Sequence, residues 1–293
     1  MTFNSNNRHR RSVLFLSALE LNGLADAMRS GADIVCIDLE DAVPPSRKVE
    51  GRTAVLATLQ TAPPNEGVQL AVRINSLRSL DGVVDMLACL KLPPTKLGAL
   101  LLPKVQTDDE VCWMGALADE INSQLDLYAI VETSDGLANC IQIAKSHPRL
   151  KALFFGGFDL STALGCTMAW EPLLYARSRV VHAAASAGIE ALDSPFPEVN
   201  NLDGLRVSVE QAKALGMTGK AAKNIGQARA ITELFTPNAG EIERARKIVE
   251  KFEADPTTPL VFEGKLIELP TIKRLRSIAA FGLIQETVQN NDH

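Results

Sequence analysis

Eight short apolar runs alternate with longer amphipathic stretches, and this alternation limits the possible fold more than any other feature of the sequence. The stretches between the runs carry helix signals, such as Thr107 followed by an acidic first turn. The runs are continuously apolar, as strands covered by helices on both faces of a sheet are. Such an alternation predicts parallel strands joined by helices. The runs cover residues 12–16, 34–39, 69–74, 98–103, 127–131, 151–155, 189–192 and 216–220.

The number of strand–helix units predicts a (β/α)8 TIM barrel over residues 1–235. An open doubly wound sheet is the main alternative, but it usually carries a Gly-rich turn after its first strand, and "LFLSALELNG" has none. Residues 236–293 continue past the eighth unit as helices with a lid-like arm, "PTTPLVFEGKLIELP", between them. We therefore predict an α/β barrel with a C-terminal helical and lid extension.

Charge and hydropathy exclude several classes of protein. The net charge is −5 and no long basic run is present, which argues against a nucleic-acid-binding surface. No apolar run approaches the roughly 20 residues that a membrane span needs. Five scattered cysteines without a CxxC pair are typical of a reducing compartment, which predicts a cytoplasmic location.

The N-terminus has a basic start followed by an apolar run, as a secretory signal does. Glu20 ends the run and Asp26 follows. We favour a solvated basic tail that precedes the first core strand.

Polar and mostly ionisable residues recur where the predicted strands end. In a TIM barrel these positions share one rim, the face on which active sites lie. Charged residues also belong in ordinary surface loops, so a coincidence of separate turns is the alternative. The residues are Asp38, Glu40 and Asp41 at strand two, Arg73 and Asn75 at strand three, Lys104 after strand four, Glu132 after strand five, Asp159 after strand six, Asp193 after strand seven and Lys220 after strand eight.

The residue types at this rim indicate a metal-assisted reaction on an organic acid. Glu132 and Asp159 follow adjacent strands, and hard oxygen ligands without nearby His or Cys suit Mg²⁺. The guanidinium of Arg73 can bind a carboxylate in a bidentate manner. Together they predict a site for a 2-oxo or 2-hydroxy acid. Alternatively Arg73 holds Asp38 or Glu40 in an ion pair, and both roles can coexist.

Several ordered motifs resemble one known family over residues 11–280. They are "DLEDAV", "VRIN", "LLPKV", "IVETSDGL", "FFGGFDLS" and "LLYARSRVVHAAASAGIEALDSPF". This set is similar to the HpcH/HpaI aldolase superfamily, in its citrate lyase β-subunit-like and malyl-CoA or citramalyl-CoA lyase group. The resemblance implies a (β/α)8 barrel that forms trimers or hexamers. It also implies Mg²⁺-dependent cleavage of a 3-hydroxyacyl-CoA thioester into acetyl-CoA and a 2-oxo acid.

The resemblance also implies roles for single residues. Glu132 and Asp159 would bind Mg²⁺, and Arg73 would hold the oxo-acid carboxylate. A lid carboxylate from a neighbouring subunit would close over the site, and the matching residue here is Glu268, where the family usually has Asp. The resemblance further implies that an acidic network, made of Asp38, Glu40 and Asp41, orders Arg73. It also implies that Lys104 and Gly157 lie on the substrate side of the site.

Two segments depart from the family pattern, both where the family binds the CoA arm. At 17–23 the family's "VPG" and the Arg after it are missing. At 221–227 the pattern "KxCIHPxQ" becomes "KAAKNIGQ", so that Asn224 and Ile225 replace His and Pro. The sequence therefore leaves open whether CoA or a carrier protein holds the acyl group. It also leaves open two alternatives to the lyase: a malyl-CoA thioesterase, and an inactive subunit that binds Mg²⁺ and an oxo acid.

Overall fold

The computed structural model describes residues 9–61, 67–93, 95–255 and 260–291. The chain divides into two compact units, Met1–Phe235 and Thr236–His293. The predicted N-terminal tail falls largely on residues 1–8, which lie outside the described residues, as do residues 256–259 of the Pro-rich approach to the lid.

The first unit is a closed barrel of parallel strands, which confirms the predicted (β/α)8 TIM barrel and excludes the open sheet. In the described residues, eight strands pair in chain order and the eighth returns to pair with the first. The strands are β1 (Ser12–Ser17), β2 (Ile34–Asp38), β3 (Gln69–Arg73), β4 (Ala99–Leu102), β5 (Asp126–Val131), β6 (Leu150–Phe155), β7 (Glu190–Asp193) and β8 (Gly219–Ala222).

Helices follow the strands, and side-chain caps fix several helix starts. The Ser79 hydroxyl accepts the N–H of Gly82, and Thr107 forms a capping box with Glu110. The helices are α1 (Leu24–Met28), α2 (Lys48–Thr61), α3 (Leu80–Leu90), α4 (Asp108–Glu120), α5 (Ser134–Ala138), α6 (Cys140–Lys145), α7 (Gly157–Leu164), α8 (Trp170–Ala187), α9 (Leu202–Leu215) and α10 (Ile225–Phe235).

Side chains of the strands alternate between the barrel interior and the helix layer. In β2, Ile34 and Cys36 belong to the inner cluster, whereas Val35 and Ile37 belong to the core shared with the helices. Both sets are fully buried. This double burial is why the strands read as continuous apolar runs in the sequence.

A hydrogen-bonded polar layer closes the N-terminal end of the barrel. Arg10 donates to the Tyr128 hydroxyl at 2.9 Å and pairs with Asp126 at 3.2 Å and with Glu190 at 3.1 Å. Tyr128 in turn donates to Gln69, which also donates to Asp126 at 3.1 Å. Gln69, Asp126 and Glu190 begin β3, β5 and β7, so alternate strands supply one layer. Buried polar groups that are satisfied in this way hold the barrel closed.

Two residues predicted for the active rim lie elsewhere. Asp193 is the last residue of β7 and Lys220 is the second residue of β8, and both are fully buried. Their side chains form an ion pair with each other, and Asp193 also accepts from Arg177 of α8 at 3.1 Å. Because Ala191 and Ala222 pack in the helix-side core, alternation places Asp193 and Lys220 on that side as well. The rim prediction for these two residues was therefore wrong.

The second unit contains α11 (Ala239–Ala254), an antiparallel hairpin of β9 (Leu260–Phe262) and β10 (Lys265–Ile267), and α12 (Leu269–Asn291). Helices α11 and α12 pack against each other. The hairpin turns at Glu263 and Gly264, which both have positive φ angles, of 49° and 75°. Glu263 pairs with Arg244 of α11 at 2.8 Å. The predicted extended arm is therefore a short hairpin. Of the described helices, none has the length and hydropathy required to cross a bilayer.

The buried Arg177–Asp193–Lys220 cluster generates a stability prediction. Burial raises the pKa of Asp193, but the charges of Lys220 and Arg177 outweigh burial and hold that pKa below its ordinary value. Replacing Asp193 by Asn leaves two buried cations without a counter-ion, which should lower the free energy of unfolding by about 3–5 kcal/mol. Replacing Lys220 by Met leaves Asp193 paired with Arg177, so this variant should lose less of its free energy of unfolding. Urea unfolding of both variants measures the difference, and a larger loss for Lys220→Met would contradict this account.

Candidate active site

The candidate site is a cavity of about 250 Å³ at the carboxyl ends of the strands. Asp38, Arg73, Glu132 and Asp159 line it together with apolar side chains. A larger cavity of about 510 Å³ lies beside the N-terminal ends of β6 and β7. Among the described residues that line the larger cavity, Glu190 is the one carboxylate, so the chemistry favours the smaller cavity.

Arg73 is the centre of the acidic cluster that follows β2. Its Nε and Nη2 atoms donate to the two carboxylate oxygens of Asp38 at 2.8 and 2.6 Å, and its Nη1 atom lies 2.8 Å from Glu40. Asp38 also accepts the backbone N–H groups of Glu40 and Ala42. The guanidinium lies 5.2 Å from the ring centroid of Phe15. The bidentate fork is therefore taken by Asp38, which is the ion-pair alternative raised by the sequence. A guanidinium has five N–H donors, so Arg73 keeps donors for the cavity that it lines.

Lys104 links this cluster to the other two carboxylates. Its backbone N–H donates to Glu132 at 2.8 Å, while its ammonium donates to Glu40 at 2.5 Å and lies 3.7 Å from Asp159. Lys104 adopts a left-handed φ of 53°, which costs a non-glycine residue about 1–2 kcal/mol. Burial lowers the pKa of Lys104, but the hydrogen bond to Glu40 and the surrounding carboxylates outweigh burial and raise it. Lys104 is therefore a fixed cation that holds Glu132 and Asp159 within reach of each other.

Glu132 is the buried carboxyl of the pair. Burial, reinforced by the charges of Glu40 and Asp159, raises the pKa of Glu132 to about 8 against the opposing effect of Arg73. Gly156 makes room for it, because a Cβ there would stand 2.3 Å from the Glu132 Cβ. Asp159, in the first turn of α7, is 40% exposed and faces the same cavity. A cation bound between the two carboxylates would offset both the burial and the like-charge repulsion that raise this pKa.

The residues present fit Mg²⁺. Within the described residues no three Asp, Glu, His or Cys side chains form a closed metal cage. Mg²⁺ needs no such cage, since one or two carboxylates usually hold it together with water and substrate oxygens. The cluster joins five carboxylates, of Asp38, Glu40, Asp41, Glu132 and Asp159, to the two cations Arg73 and Lys104. A divalent cation would relieve this excess of negative charge.

The structure brings most of the predicted site residues together. Asp38, Glu40, Arg73, Lys104, Glu132 and Asp159 form one connected cluster, and Gly157 lines the same cavity. Glu268 belongs to the second unit, where it is exposed between β10 and α12.

Three further cavity residues were missed by the sequence analysis. Phe15 packs against Arg73, Ser194 follows β7, and Lys223 follows β8. The barrel register could have identified them, because Ser194 and Lys223 come directly after β7 and β8, and Phe15 lies two residues before the end of β1.

The altered segment after β8 has a structural explanation. Asn224 caps α10, because its side-chain oxygen accepts the N–H of Gln227 at 2.8 Å. Its side-chain amide also donates to the carbonyl of Val199 at 3.1 Å. Asn224 therefore anchors the loop that leads into α10.

Comparisons with known proteins agree with this geometry. A sequence model of the HpcH/HpaI aldolase/citrate lyase family matches residues 11–224. The mitochondrial citramalyl-CoA lyase of Mus musculus is 28% identical over 291 residues, which cover 92% of this chain and 85% of that protein. A (3S)-malyl-CoA thioesterase of Cereibacter sphaeroides is 30% identical over 286 residues, covering 93% and 96% of the two chains.

Solved structures share the fold. The crystal structure of CitE from Mycobacterium tuberculosis in complex with magnesium, acetoacetate and coenzyme A superposes with a TM-score of 0.77. It is 24% identical and covers 93% of this chain and 98% of that chain. The family resemblance seen in the motifs is confirmed: the chain belongs to the HpcH/HpaI aldolase/citrate lyase family.

Proposed function

We propose that the protein is a Mg²⁺-dependent carbon–carbon lyase that cleaves a 3-hydroxyacyl thioester of the citramalyl-CoA or malyl-CoA type. The products would be acetyl-CoA and a 2-oxo acid. The observation that carries this proposal is the pair Glu132 and Asp159, which share one cavity with Arg73 and are linked by Lys104. A citramalyl-CoA lyase among the relatives supports the same reaction.

Glu132, Asp159 and Arg73 have separate roles in the proposed reaction. Glu132 and Asp159 would hold Mg²⁺, which, when bound, draws electron density from the oxygen that becomes the oxo group. Arg73, fixed by Asp38 and Glu40, would orient the carboxylate of the oxo-acid half. A base takes the proton of the 3-hydroxyl, the adjacent C–C bond breaks, and the electron pair of that bond passes to the acetyl thioester as an enolate. Protonation of that enolate completes the reaction.

We assign the protonation step to Glu268 of a neighbouring subunit. Glu268 stands in an exposed hairpin-to-helix junction, beside the apolar side chains of Val261, Leu266 and Leu269, which are 61%, 59% and 68% exposed. Such side chains need an apolar surface to cover, and the barrel rim of a neighbour in a homotrimer or hexamer would supply one. The cytoplasmic location inferred from the cysteines stays a prediction, and the citramalyl-CoA lyase of the mouse is a mitochondrial protein.

A thioesterase is the second candidate, because a (3S)-malyl-CoA thioesterase is 30% identical over nearly the whole chain. The two reactions differ in products. Purified protein with Mg²⁺ is incubated with citramalyl-CoA and malyl-CoA, and the products are identified by mass. Acetyl-CoA with pyruvate or glyoxylate supports the lyase, whereas free CoA with an intact hydroxy diacid indicates the thioesterase.

The metal pair gives the first prediction for this function. Glu132→Gln and Asp159→Asn should each abolish turnover and weaken Mg²⁺ binding, because each removes one of two charged oxygen ligands. Titration calorimetry with Mg²⁺ measures the binding. Asp135→Asn, an exposed carboxylate in the first turn of α5, is the matched control and should bind Mg²⁺ normally. Full turnover of the wild-type protein in excess EDTA would contradict the metal assignment.

Arg73 gives the second prediction. Arg73→Lys should weaken binding of pyruvate and glyoxylate at least about tenfold, since an ammonium cannot replace the fork that binds Asp38 and also reach a substrate. Binding is measured in the presence of Mg²⁺, with Arg78→Lys as the control because Arg78 forms an exposed pair with Glu110. Unchanged affinity for both acids would count against this role.

Glu268 gives the third prediction. Glu268→Ala should lower turnover at least about tenfold, a floor set below the roughly 10²–10⁴-fold that general acid–base catalysis typically contributes, while Mg²⁺ and oxo acids still bind. Glu263→Ala, which removes an exposed acid of the same hairpin, is the control. Mixing Glu268→Ala with Glu132→Gln protein should restore part of the activity, because mixed oligomers contain interfaces with both groups intact. No recovery after verified subunit exchange would show that Glu268 does not act across subunits.

A further inference from the structure

Ser194, the first residue after β7, carries a buried hydroxyl that the proposed mechanism does not use. The residue is 3% exposed and lines the cavity, and among the described residues its hydroxyl has no hydrogen-bond partner. A buried hydroxyl of this kind loses its hydrogen bonds to water and gains none in return, so such groups are uncommon in folded proteins. In the wall of a cavity, a ligand that supplies the missing acceptor explains it.

The backbone on both sides of Ser194 is held in place. Asp193, directly before it, is fully buried and belongs to the ion-pair cluster between β7, β8 and α8. Pro195, directly after it, restricts the backbone conformation of Ser194. The next carbonyl, of Phe196, accepts from the side chain of Gln227 at 3.3 Å. A donor fixed in this way needs no reorganisation when charge develops beside it.

Gly157 leaves the space beside this hydroxyl open. A Cβ on Gly157 would stand 3.0 Å from the Ser194 hydroxyl oxygen and 2.7 Å from the Met168 Cε atom. Gly157 does not have a positive φ angle, so its backbone conformation alone does not require glycine. The missing side chain therefore preserves room next to Ser194.

The surroundings of the hydroxyl argue against a nucleophilic role. A serine nucleophile needs a base within hydrogen-bond reach to take its proton. In the part of the chain that the structure describes, no carboxylate, imidazole or amine accepts from the Ser194 hydroxyl. The remaining role is donation of a hydrogen bond to an oxygen of the ligand.

The barrel places Ser194 opposite the residue proposed to hold the oxo acid. Arg73 ends β3 and Ser194 follows β7, and both line the cavity. In the closed barrel, three strands lie between β3 and β7 in either direction. A substrate whose carboxylate binds Arg73 therefore directs its thioester end toward the wall that carries Ser194.

The chemistry at the thioester end calls for a donor of its own. When the C–C bond breaks, its electron pair forms an enolate, and negative charge collects on the thioester oxygen. The metal pair Glu132 and Asp159 would serve the oxo-acid half, which leaves the enolate oxygen to be stabilised separately. A donor directed at an oxygen that becomes more negative binds the transition state more strongly than the substrate, and so it raises kcat.

We propose that Ser194 is a catalytic residue whose hydroxyl donates to the thioester carbonyl oxygen and stabilises the negative charge that this oxygen gains during turnover. The proton stays on the serine oxygen, and no covalent intermediate forms. The inference rests on the proposed function for its thioester substrate, but not for the choice between lyase and thioesterase. Hydrolysis also places negative charge on this oxygen, in the tetrahedral intermediate, and would use the same donor.

The test separates stabilisation of the enolate from binding of the substrate. Ser194→Ala should lower kcat for citramalyl-CoA or malyl-CoA by about 10²-fold with a nearly unchanged KM, the scale of one lost oxyanion donor. It should slow the exchange of acetyl-CoA methyl protons with D₂O to a similar extent. This exchange is measured by mass spectrometry in Mg²⁺ with oxalate, which can bind the metal but cannot condense. Ser194→Cys, whose thiol is only a weak donor, should lose nearly as much.

The stability of the variant distinguishes catalysis from a structural role. Because the hydroxyl makes no hydrogen bond in the free protein, Ser194→Ala should unfold at the same urea concentration as the wild-type protein, or at a higher one. Ser161→Ala is the control and should keep the wild-type kcat. It removes another hydroxyl of low exposure, which donates to the carbonyl of Phe158 at 2.8 Å.

Other outcomes overturn the inference in distinguishable ways. Full turnover by Ser194→Ala, or a loss confined to KM, would show that the hydroxyl does not stabilise the transition state. A loss of kcat together with a loss of stability would assign a structural role. Exchange that is slowed by Lys223→Met and not by Ser194→Ala would assign the donor to the ammonium on the same wall. A wild-type protein that neither cleaves nor hydrolyses these thioesters would refute the proposed function, and this inference with it.

Discussion

The ion pair between Arg73 and Asp38 is the interaction on which the candidate site depends. Arg73 is 13% exposed, and Asp38 is 4% exposed. Separating either from the other would leave a largely buried charge, which costs more than the pair itself contributes. Asp38 also accepts two backbone N–H groups of the loop after β2, so the same carboxylate fixes the loop that carries Glu40. The three acids at the end of this strand are therefore a support for a guanidinium rather than an ordinary turn.

Buried charges are balanced differently at the two ends of the barrel. At the N-terminal end, Arg10 contacts two carboxylates and the phenol of Tyr128, and Tyr128 in turn donates to the amide of Gln69. Hydrogen bonds therefore connect the whole network. At the carboxyl end, carboxylates outnumber cations, and burial, together with the charges of Glu40 and Asp159, raises the pKa of Glu132 to about 8. A charge imbalance of this kind is unfavourable for folding alone. It is the condition expected of a surface that awaits a cation and a substrate.

Much of the architecture could be predicted from the sequence because local signals agree with the fold. Capping residues such as Ser79 and Thr107 marked helix starts, and continuous apolar runs marked strands buried on both faces. Strand β8 was placed about three residues early, since "GKAA" has small side chains and a lysine in place of branched apolar residues. That shift moved Lys220 onto the predicted rim. Helix α7 begins without a side-chain cap, because its N-cap residue is Gly156, so no capping residue in the sequence marks its start.

The parts of the site that could not be predicted are those created by three-dimensional proximity. Nothing in "LLPKV" indicates that Lys104 adopts a left-handed backbone, because that conformation is usual for Gly and Asn and not for Lys. The surrounding structure imposes it: Glu132 accepts the Lys104 amide, while Glu40 accepts its ammonium. A left-handed residue directs its N–H and its side chain in a way that an extended one does not. The backbone strain at Lys104 is thus offset by its simultaneous contacts with Glu132 and Glu40. Lys104 is therefore the physical link between the acids that hold Arg73 and the carboxylate pair of Glu132 and Asp159 proposed for the metal.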